Sequence, residues 1–494
     1  MPILTNCKHT DTMNRIATLL SIAFVVVGCM SPTYPSIDVP SGGTDASDRQ
    51  IIDYIDKRLE EEYYWLDEVM ERGGSFNRTV QWEKYLNNSL QRLTTNADDG
   101  YVNAKGQRIF YSYIRDVNGD TRTATSTTGF GLGLYYTIIS LENNRLAFVI
   151  NNVYEGSPAA AADLRRGDMI ISVNGAEIDH NNYATLFNSI EYNTATELRL
   201  IAQRQTAANT NEASIVATLQ KGSYMASPVA YHTVITVPNS QKRIGYLVYT
   251  AFDNDYDDDL LEALAMLAAE GVDSFILDLR TNGGGHVSSA VKLCSALVGV
   301  EYVGATLTEL RRNPANKTSL GDTINVLEDV GVDLGLDELT VICSDYSASA
   351  SELVVMGLRG LDIPVTLIGT TTEGKNCGMD VTRRTFGNTT VEYAPITFMC
   401  YNAKGFGSWG EGITPDIDLS VDNKLGVKDE YFPMPRSSWG DLSYDIGLAA
   451  AVASITGKKV STATPTATRS DDGYMPAMRL ERPFVGTLYE VPEQ

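Results

Sequence analysis

Three short segments carry residue types that together can attack a carbonyl: Ser347-Ala348-Ser349-Ala350-Ser351-Glu352, Gly374-Lys375-Asn376, and Asp278-Leu279-Arg280-Thr281-Asn282-Gly283-Gly284-Gly285. A serine hydroxyl at its free pKa is a weak nucleophile and needs a base within hydrogen-bond reach. Histidine is the usual base, yet the chain holds only four. His9 lies near the N-terminus, His180 and His232 lie in or just after a β-rich stretch, and His286 follows the glycines. A lysine serves instead when burial and the lack of an acid partner bring its pKa down, and Ser-Lys pairs are a known variant of triad logic. The glycines allow a tight turn whose N–H groups can face an anion or a developing oxyanion. Each segment also has a plain structural use: a glycine turn, a surface lysine, and helix capping by Ser347 or Ser349 with Glu352 in the first turn.

These segments need elements to hold them, and the apolar pattern supplies candidates. From Lys242 onward, strands alternate with helices. The pattern predicts strands over Arg243–Tyr249, Ser274–Leu279, Leu339–Cys343 and Pro364–Gly369. Helices are expected over Asp257–Gly271, Val287–Leu297 and from about Ala350. Such alternation argues for a layered α/β core. The glycines follow a buried strand. The serines sit at a strand-to-helix junction, where a side chain projects from a sharp turn beside helix-start amides. Lys375 follows the next strand. A further strand is expected at Val391–Met399 and a closing helix at Tyr444–Thr456.

Two other regions precede this core. Ile51, Ile52, Tyr54, Ile55, Leu59 and Tyr63 recur at helical spacing, and a second helix is expected over Thr79–Leu93. A β-rich module follows. Its marks are Gly129-Phe130-Gly131-Leu132-Gly133-Leu134, the strand Leu146–Val153, Gly156-Ser157-Pro158, Gly167-Asp168, and the strand Met169–Val173 closing in the hairpin signal Asn174-Gly175. No phosphate-loop lysine follows the glycine-rich loop, which argues against nucleotide binding. The order of these marks resembles a PDZ domain. Such a domain adds an extended peptide as a strand, with the peptide's terminal carboxylate at the amides of Gly131, Leu132 and Gly133.

Together, the NGGG turn, SASASE, the Gly-Lys loop and Gly412-Ile413-Thr414-Pro415-Asp416 resemble the carboxyl-terminal processing (tail-specific) serine protease family. The resemblance spans about residues 48–456. It implies a multidomain α/β protein, with a ClpP/crotonase-like protease core, an N-terminal helical domain and a β-rich PDZ domain. Carried over residue by residue, Ser349 is the nucleophile and Lys375 its base. The oxyanion hole uses the backbone N–H of Ala350 and one from Gly283 or Gly284. Implied partners are protein or peptide substrates, engaged through their C-terminal tails. Two departures stand out. Met379 occupies the place of a glutamine that orients the lysine in many members. The serine and lysine are also one residue further apart, with the extra residue expected within Gly360–Pro364, and nearby Asp362 is given no catalytic role. A non-catalytic, peptide-binding lipoprotein on the same fold is the alternative, and a ligand carrier on this fold ranks below it.

The expected division is a signal peptide at 1–28, a tether at 29–47, a helical domain at 48–118, the PDZ domain at 121–222, the protease core at 223–456 and a tail at 457–494. Lys8 and Arg15 precede the apolar run Ile16–Val27, which is too short for a comfortable membrane span. Val26-Val27-Gly28-Cys29 resembles a bacterial lipobox, implying lipidation of Cys29 and a membrane-anchored protein of the bacterial cell envelope, facing the periplasm in a Gram-negative cell. The net charge of −23 argues against a nucleic-acid partner. Cys294, Cys343, Cys377 and Cys400 lack CxxC spacing, so a zinc site is not expected, and the reading includes no other metal and no cofactor.

Overall fold

The strands Ser274–Asp278 and Leu339–Cys343 are buried at every position, as expected of parallel strands covered on both faces. In the computed structural model they lie at the centre of a six-stranded sheet. Its order is Val229–Thr236, Arg243–Tyr249, Ser274–Asp278, Leu339–Cys343, Val365–Gly369, Ile417–Asp418. All neighbours are parallel except the first pair. Alternate side chains point to opposite faces. Leu247, Leu277, Val341 and Leu367 meet the helices Asp257–Ala269, Val287–Val298 and Ala350–Gly360. Val248, Ile276, Ile342 and Ile368 meet the helix Ile446–Thr456. That helix is capped by Asp445, which accepts from the Leu448 amide, and it ends at a left-handed Gly457.

Residues 46–460 and 488–490 are described, apart from 73, 103–105, 118–127, 142–143, 192–196, 205–212, 238–239, 427, 429–431, 433–434, 436 and 459. The expected signal peptide, Cys29, nearly all of the tether and most of the tail lie outside the described residues. Among the described residues no helix is long and apolar enough to cross a membrane.

A second large sheet runs in the order Thr323–Val326, Thr306–Arg312, Ile396–Asn402, Cys377–Phe386, Thr389–Ala394, Tyr113–Asp116. The single strand expected over Val391–Met399 is in fact two, broken at Pro395. Proline cannot donate to a ladder. The helices Ala46–Glu62, Leu66–Glu71 and Trp82–Leu90 lie on this sheet. Ile51, Ile55, Leu59 and Tyr85 share one apolar cluster with Met379, Val391, Tyr393 and Ile396. The helical front therefore packs as part of the second sheet's layer, without a separate core. It also lends the sheet its last strand, Tyr113–Asp116.

The β-rich module has its own core around Phe148, Ile150, Ile170, Leu198 and Leu200. Its sheet order is Ala213–Gln220, Glu197–Arg204, Met169–Val173, Leu146–Val153, Leu134–Ser140. Asn174 and Gly175 both take positive φ at the expected hairpin, as its tight turn requires. The strand Leu134–Ser140 is the sheet's edge, and the helix Tyr183–Glu191 belongs to the same module.

Candidate active site

Three adjacent parallel strands, Ser274–Asp278, Leu339–Cys343 and Val365–Gly369, each end in one of the three chemistry-bearing segments. Their neighbouring positions bring the segments to one end of the sheet, where open α/β folds bind ligands.

The serine turn is tied to the glycine turn by its outer serines. Ser347 Oγ donates to Leu279 O at 2.8 Å, and Ser351 Oγ donates to Asn282 O at 2.9 Å. Ser344 Oγ donates to Arg280 O at 2.6 Å. The middle serine, Ser349, heads the helix Ala350–Gly360 at φ 57°, ψ −114°. Few non-glycine residues take such a conformation, and it costs on the order of 1–3 kcal/mol. Ser349 is 4% exposed. The Ala350 amide, first in the helix, belongs to the class with no intrahelical partner.

The glycine turn is pinned by hydrogen bonds. Asn282 Nδ2 donates to Tyr249 O at 2.9 Å, and the amides of Phe252 and His286 donate to Gly284 O and Phe252 O. A Cβ on Gly284 would sit 2.8 Å from Ser349 Cβ. The Gly284 amide, however, donates to Asn282 Oδ1 at 2.8 Å. Of the two glycines named as alternative oxyanion donors, Gly284 thus donates within its own turn. Gly283 has no atom within 4 Å of its Cβ position, so the space beside it is open.

Glu352 joins the serine turn to the lysine loop. Its Oε2 accepts from the amides of Ser349 and Lys375, both at 2.8 Å. Its Oε1 accepts from Thr372 Oγ1 at 2.5 Å and from the Gly374 amide at 2.7 Å. Burial pushes this carboxyl up to about 7, against the pull of those four hydrogen bonds. The sequence suggested Glu352 only as a cap; its four donors come mostly from 20 or more residues away. Lys375 is 1% exposed, with Nζ 5.0 Å from the centroid of the Tyr111 ring. Burial also raises the Cys377 and Cys400 thiols, with the Lys375 charge opposing. All four described cysteines are buried and unbridged.

The Gly412–Asp416 segment closes the lysine loop. Thr372 N donates to Ile413 O, and Ile413 N donates to Thr372 Oγ1 at 2.7 Å. Asp416 Oδ2 accepts from the Leu367 amide and from Arg359. Met379 lies buried among the apolar residues under the N-terminal helices. Asp362 is exposed and pairs with Lys404. Burial raises the Asp253 carboxyl, with nearby His286 opposing.

In the β-rich module, Phe130, Gly131, Leu132, Gly133, Leu134, Ile190 and Tyr224 line one pocket. It lies beside the edge strand Leu134–Ser140. From that strand Tyr135 Oη donates to Thr281 O at 3.3 Å, so the module touches the glycine turn directly.

Residues 243–419 match peptidase family S41, and residues 149–204 match the PDZ domain. A CtpA-like serine protease of Staphylococcus aureus is 22% identical over 341 residues, which are 68% of this chain and 62% of that protein. The chloroplastic carboxyl-terminal-processing peptidase 3 of Arabidopsis thaliana is 25% identical over 59% of this chain and 53% of its own length. The chain thus spans less than two thirds of these curated relatives. The crystal structure of an S41 protease from Bacteroides fragilis has the same fold, with a TM-score of 0.61 at 21% identity, covering 82% of this chain and 97% of that one. The fold, the motif order and both domain matches agree: the chain carries a peptidase family S41 region and a PDZ domain, and it is similar to carboxyl-terminal processing serine proteases.

Proposed function

We propose that this protein is a lipid-anchored serine endopeptidase that cleaves proteins or peptides near their C-termini through a Ser349–Lys375 dyad. The observation that carries the reading is the single Glu352 oxygen that accepts from the amides of both residues. It fixes the backbones of nucleophile and base relative to each other. In this reading Lys375 Nζ takes the proton as Ser349 Oγ bonds to the scissile carbonyl carbon. The carbonyl oxygen becomes an oxyanion facing the amides of Ala350 and Gly283. The intermediate collapses and the C–N bond breaks, with the leaving amine taking the proton from Lys375. A water then gives a proton to Lys375 and attacks the acyl-serine, and that proton returns to Ser349 Oγ.

The PDZ domain would take the substrate's tail as an added strand on Leu134–Ser140, with the carboxylate at Gly131, Leu132 and Gly133. The run of parallel strands joined through helices is read as a ClpP/crotonase-like spiral. Cys29 would carry the lipid and tether the enzyme to the envelope membrane on the periplasmic side.

Hydrolysis of an unstructured protein with an apolar C-terminus, by residues 30–494, tests the activity. Cleavage by the wild type and none by Ser349→Ala or Lys375→Ala is the expected result. A Lys375→Ala enzyme at full rate would sink the dyad. For the anchor, full-length protein should enter the membrane fraction with a labelled fatty acid attached, and Cys29→Ala should abolish both.

A further inference from the structure

The base proposed above rests against a ring supplied from far away in the chain. Lys375 Nζ stands 5.0 Å from the Tyr111 centroid, inside the roughly 6 Å reach of a cation–π contact. Tyr111 is itself 4% exposed. Its backbone is clamped by Asp99, a side chain with no exposed surface. Asp99 Oδ1 accepts from the amides of Tyr111 at 3.1 Å and Ser112 at 2.8 Å. Asp99 Oδ2 accepts from Ser112 Oγ and Tyr63 Oη, both at 2.7 Å. The ring is therefore placed by the N-terminal region, independently of the lysine. The titratable groups around the pair are Glu352, Glu373, Tyr101, the thiols of Cys377 and Cys400, and Asp98 and Asp99, which act on Cys377. Tyr111 Oη donates to Glu373 Oε1 at a long 3.5 Å, so the hydroxyl is held more loosely than the ring.

We propose that Tyr111 is the positioning residue of Lys375, its aromatic face holding the ammonium in one place. This rests on the Ser349–Lys375 reading. It also gives the lysine a guide from the N-terminal region in place of Met379, whose side chain carries only a weakly accepting sulfur. The ring's negative face favours the charged lysine. Removing the ring should therefore let Lys375 lose its proton at lower pH, while the freed side chain finds the serine less often.

The test compares wild type, Tyr111→Phe and Tyr111→Leu, with Tyr111→Met replacing the leucine variant should that one unfold. Peptidase kcat and KM are measured against pH, and the Lys375 midpoint is followed by NMR of 15Nζ-labelled lysine in a Ser349→Ala background. Tyr111→Phe should keep kcat within about threefold, since the face is retained. The ringless variant should lose roughly 10- to 100-fold in kcat at unchanged KM. Its Lys375 midpoint should fall by roughly half a pH unit or more. A ringless variant with unchanged kcat and midpoint overturns the proposal, as does a phenylalanine variant as damaged as the ringless one. The NMR arm needs no activity. If the wild type hydrolyses nothing yet the midpoint follows the ring, the protease reading fails and the positioning of Lys375 stands. If the wild type hydrolyses and the midpoint ignores the ring, the positioning alone fails.

Discussion

Glu352 and Lys375 are joined through the backbone: the carboxylate oxygen that accepts from the Lys375 amide at 2.8 Å is the one that also accepts from Ser349. Replacing that carboxylate by an amide sets an NH2 group or a lone carbonyl against four donors. Glu352→Gln should lower kcat about 10- to 100-fold with KM little changed, because misplacement of about 1 Å costs on that order. Steady-state kinetics on the variant checks this, and full kcat would mean that the two loops are held in register by something else.

The same carboxyl links stability to pH. Burial raises Glu352 from its ordinary 4.5 to about 7, so between those values the folded protein holds a proton that the unfolded chain releases. Its contribution is fully present below about 4.5 and is lost as pH rises through about 7. Relative to Glu352→Gln, the wild type should lose on the order of 3 kcal/mol across this window. Urea unfolding of both proteins between pH 4 and 8 measures the difference, and a pH-independent gap would contradict the assignment.

The two glycines beside Ser349 should respond differently to a methyl group. Gly284 has φ +103°, and a Cβ there falls 2.8 Å from Ser349 Cβ and 2.9 Å from Ala348 O. Gly284→Ala should therefore cost about 1–3 kcal/mol of stability as well as activity. At Gly283 no atom lies within 4 Å of the added carbon. Gly283→Ala should keep its thermal stability while losing kcat, since the methyl group narrows the space where an oxyanion would sit. Melting temperatures paired with kcat values test the contrast.

Arg280, 3% exposed, pairs with Asp278 at 2.6 Å and with Asp445 at 2.8 Å. Asp445 also caps the closing helix. Asp445→Ala leaves a buried guanidinium short of a partner and should cost about 3–5 kcal/mol. Denaturant unfolding at neutral pH is the check.

In the PDZ domain, Gly133 has φ +72°, and a Cβ there would sit 2.1 Å from Ser157 Cβ. Gly133→Val should displace the carboxylate loop and weaken binding of a peptide with an apolar C-terminus by at least about tenfold. Calorimetry with the full chain reads this directly.

Where the sequence spoke clearly, a local cause made it legible. The central parallel strands are mostly apolar runs, and Asn174-Gly175 takes the tight turn its residue types favour. Ser349 and Lys375 were legible only through the family resemblance of their motifs, since by residue type alone the serines read as helix caps and the lysine as a surface residue. What stayed hidden depends on distant pairing. Cys377–Phe386 carries Asp380, Arg383 and Arg384 among its apolar residues, and was not read as a strand. Asp380 is buried where Arg312 pairs with it and Thr397 Oγ1 donates to it, both from other strands. Glu352 read as a helix cap because three of its donors lie 20 to 23 residues onward. Tyr111 stands in the run Phe110-Tyr111-Ser112-Tyr113, whose residue types do not say what the ring would face.

The sharing of one apolar layer between the first helices and the last large sheet has a consequence for biosynthesis. Tyr54 Oη and Thr382 Oγ1 lie 2.7 Å apart across 328 residues of chain. The helices are made first, yet the strands that cover Ile51, Ile55 and Leu59 are made only after most of the protein exists. Until then these apolar faces wait exposed, a situation that invites chaperone capture or aggregation. Contacts so remote in sequence also slow folding. A fragment trimmed to the region matched by peptidase family S41, residues 243–419, would lack those helices, the strand Tyr113–Asp116 and Tyr111, and so could not complete this layer on its own.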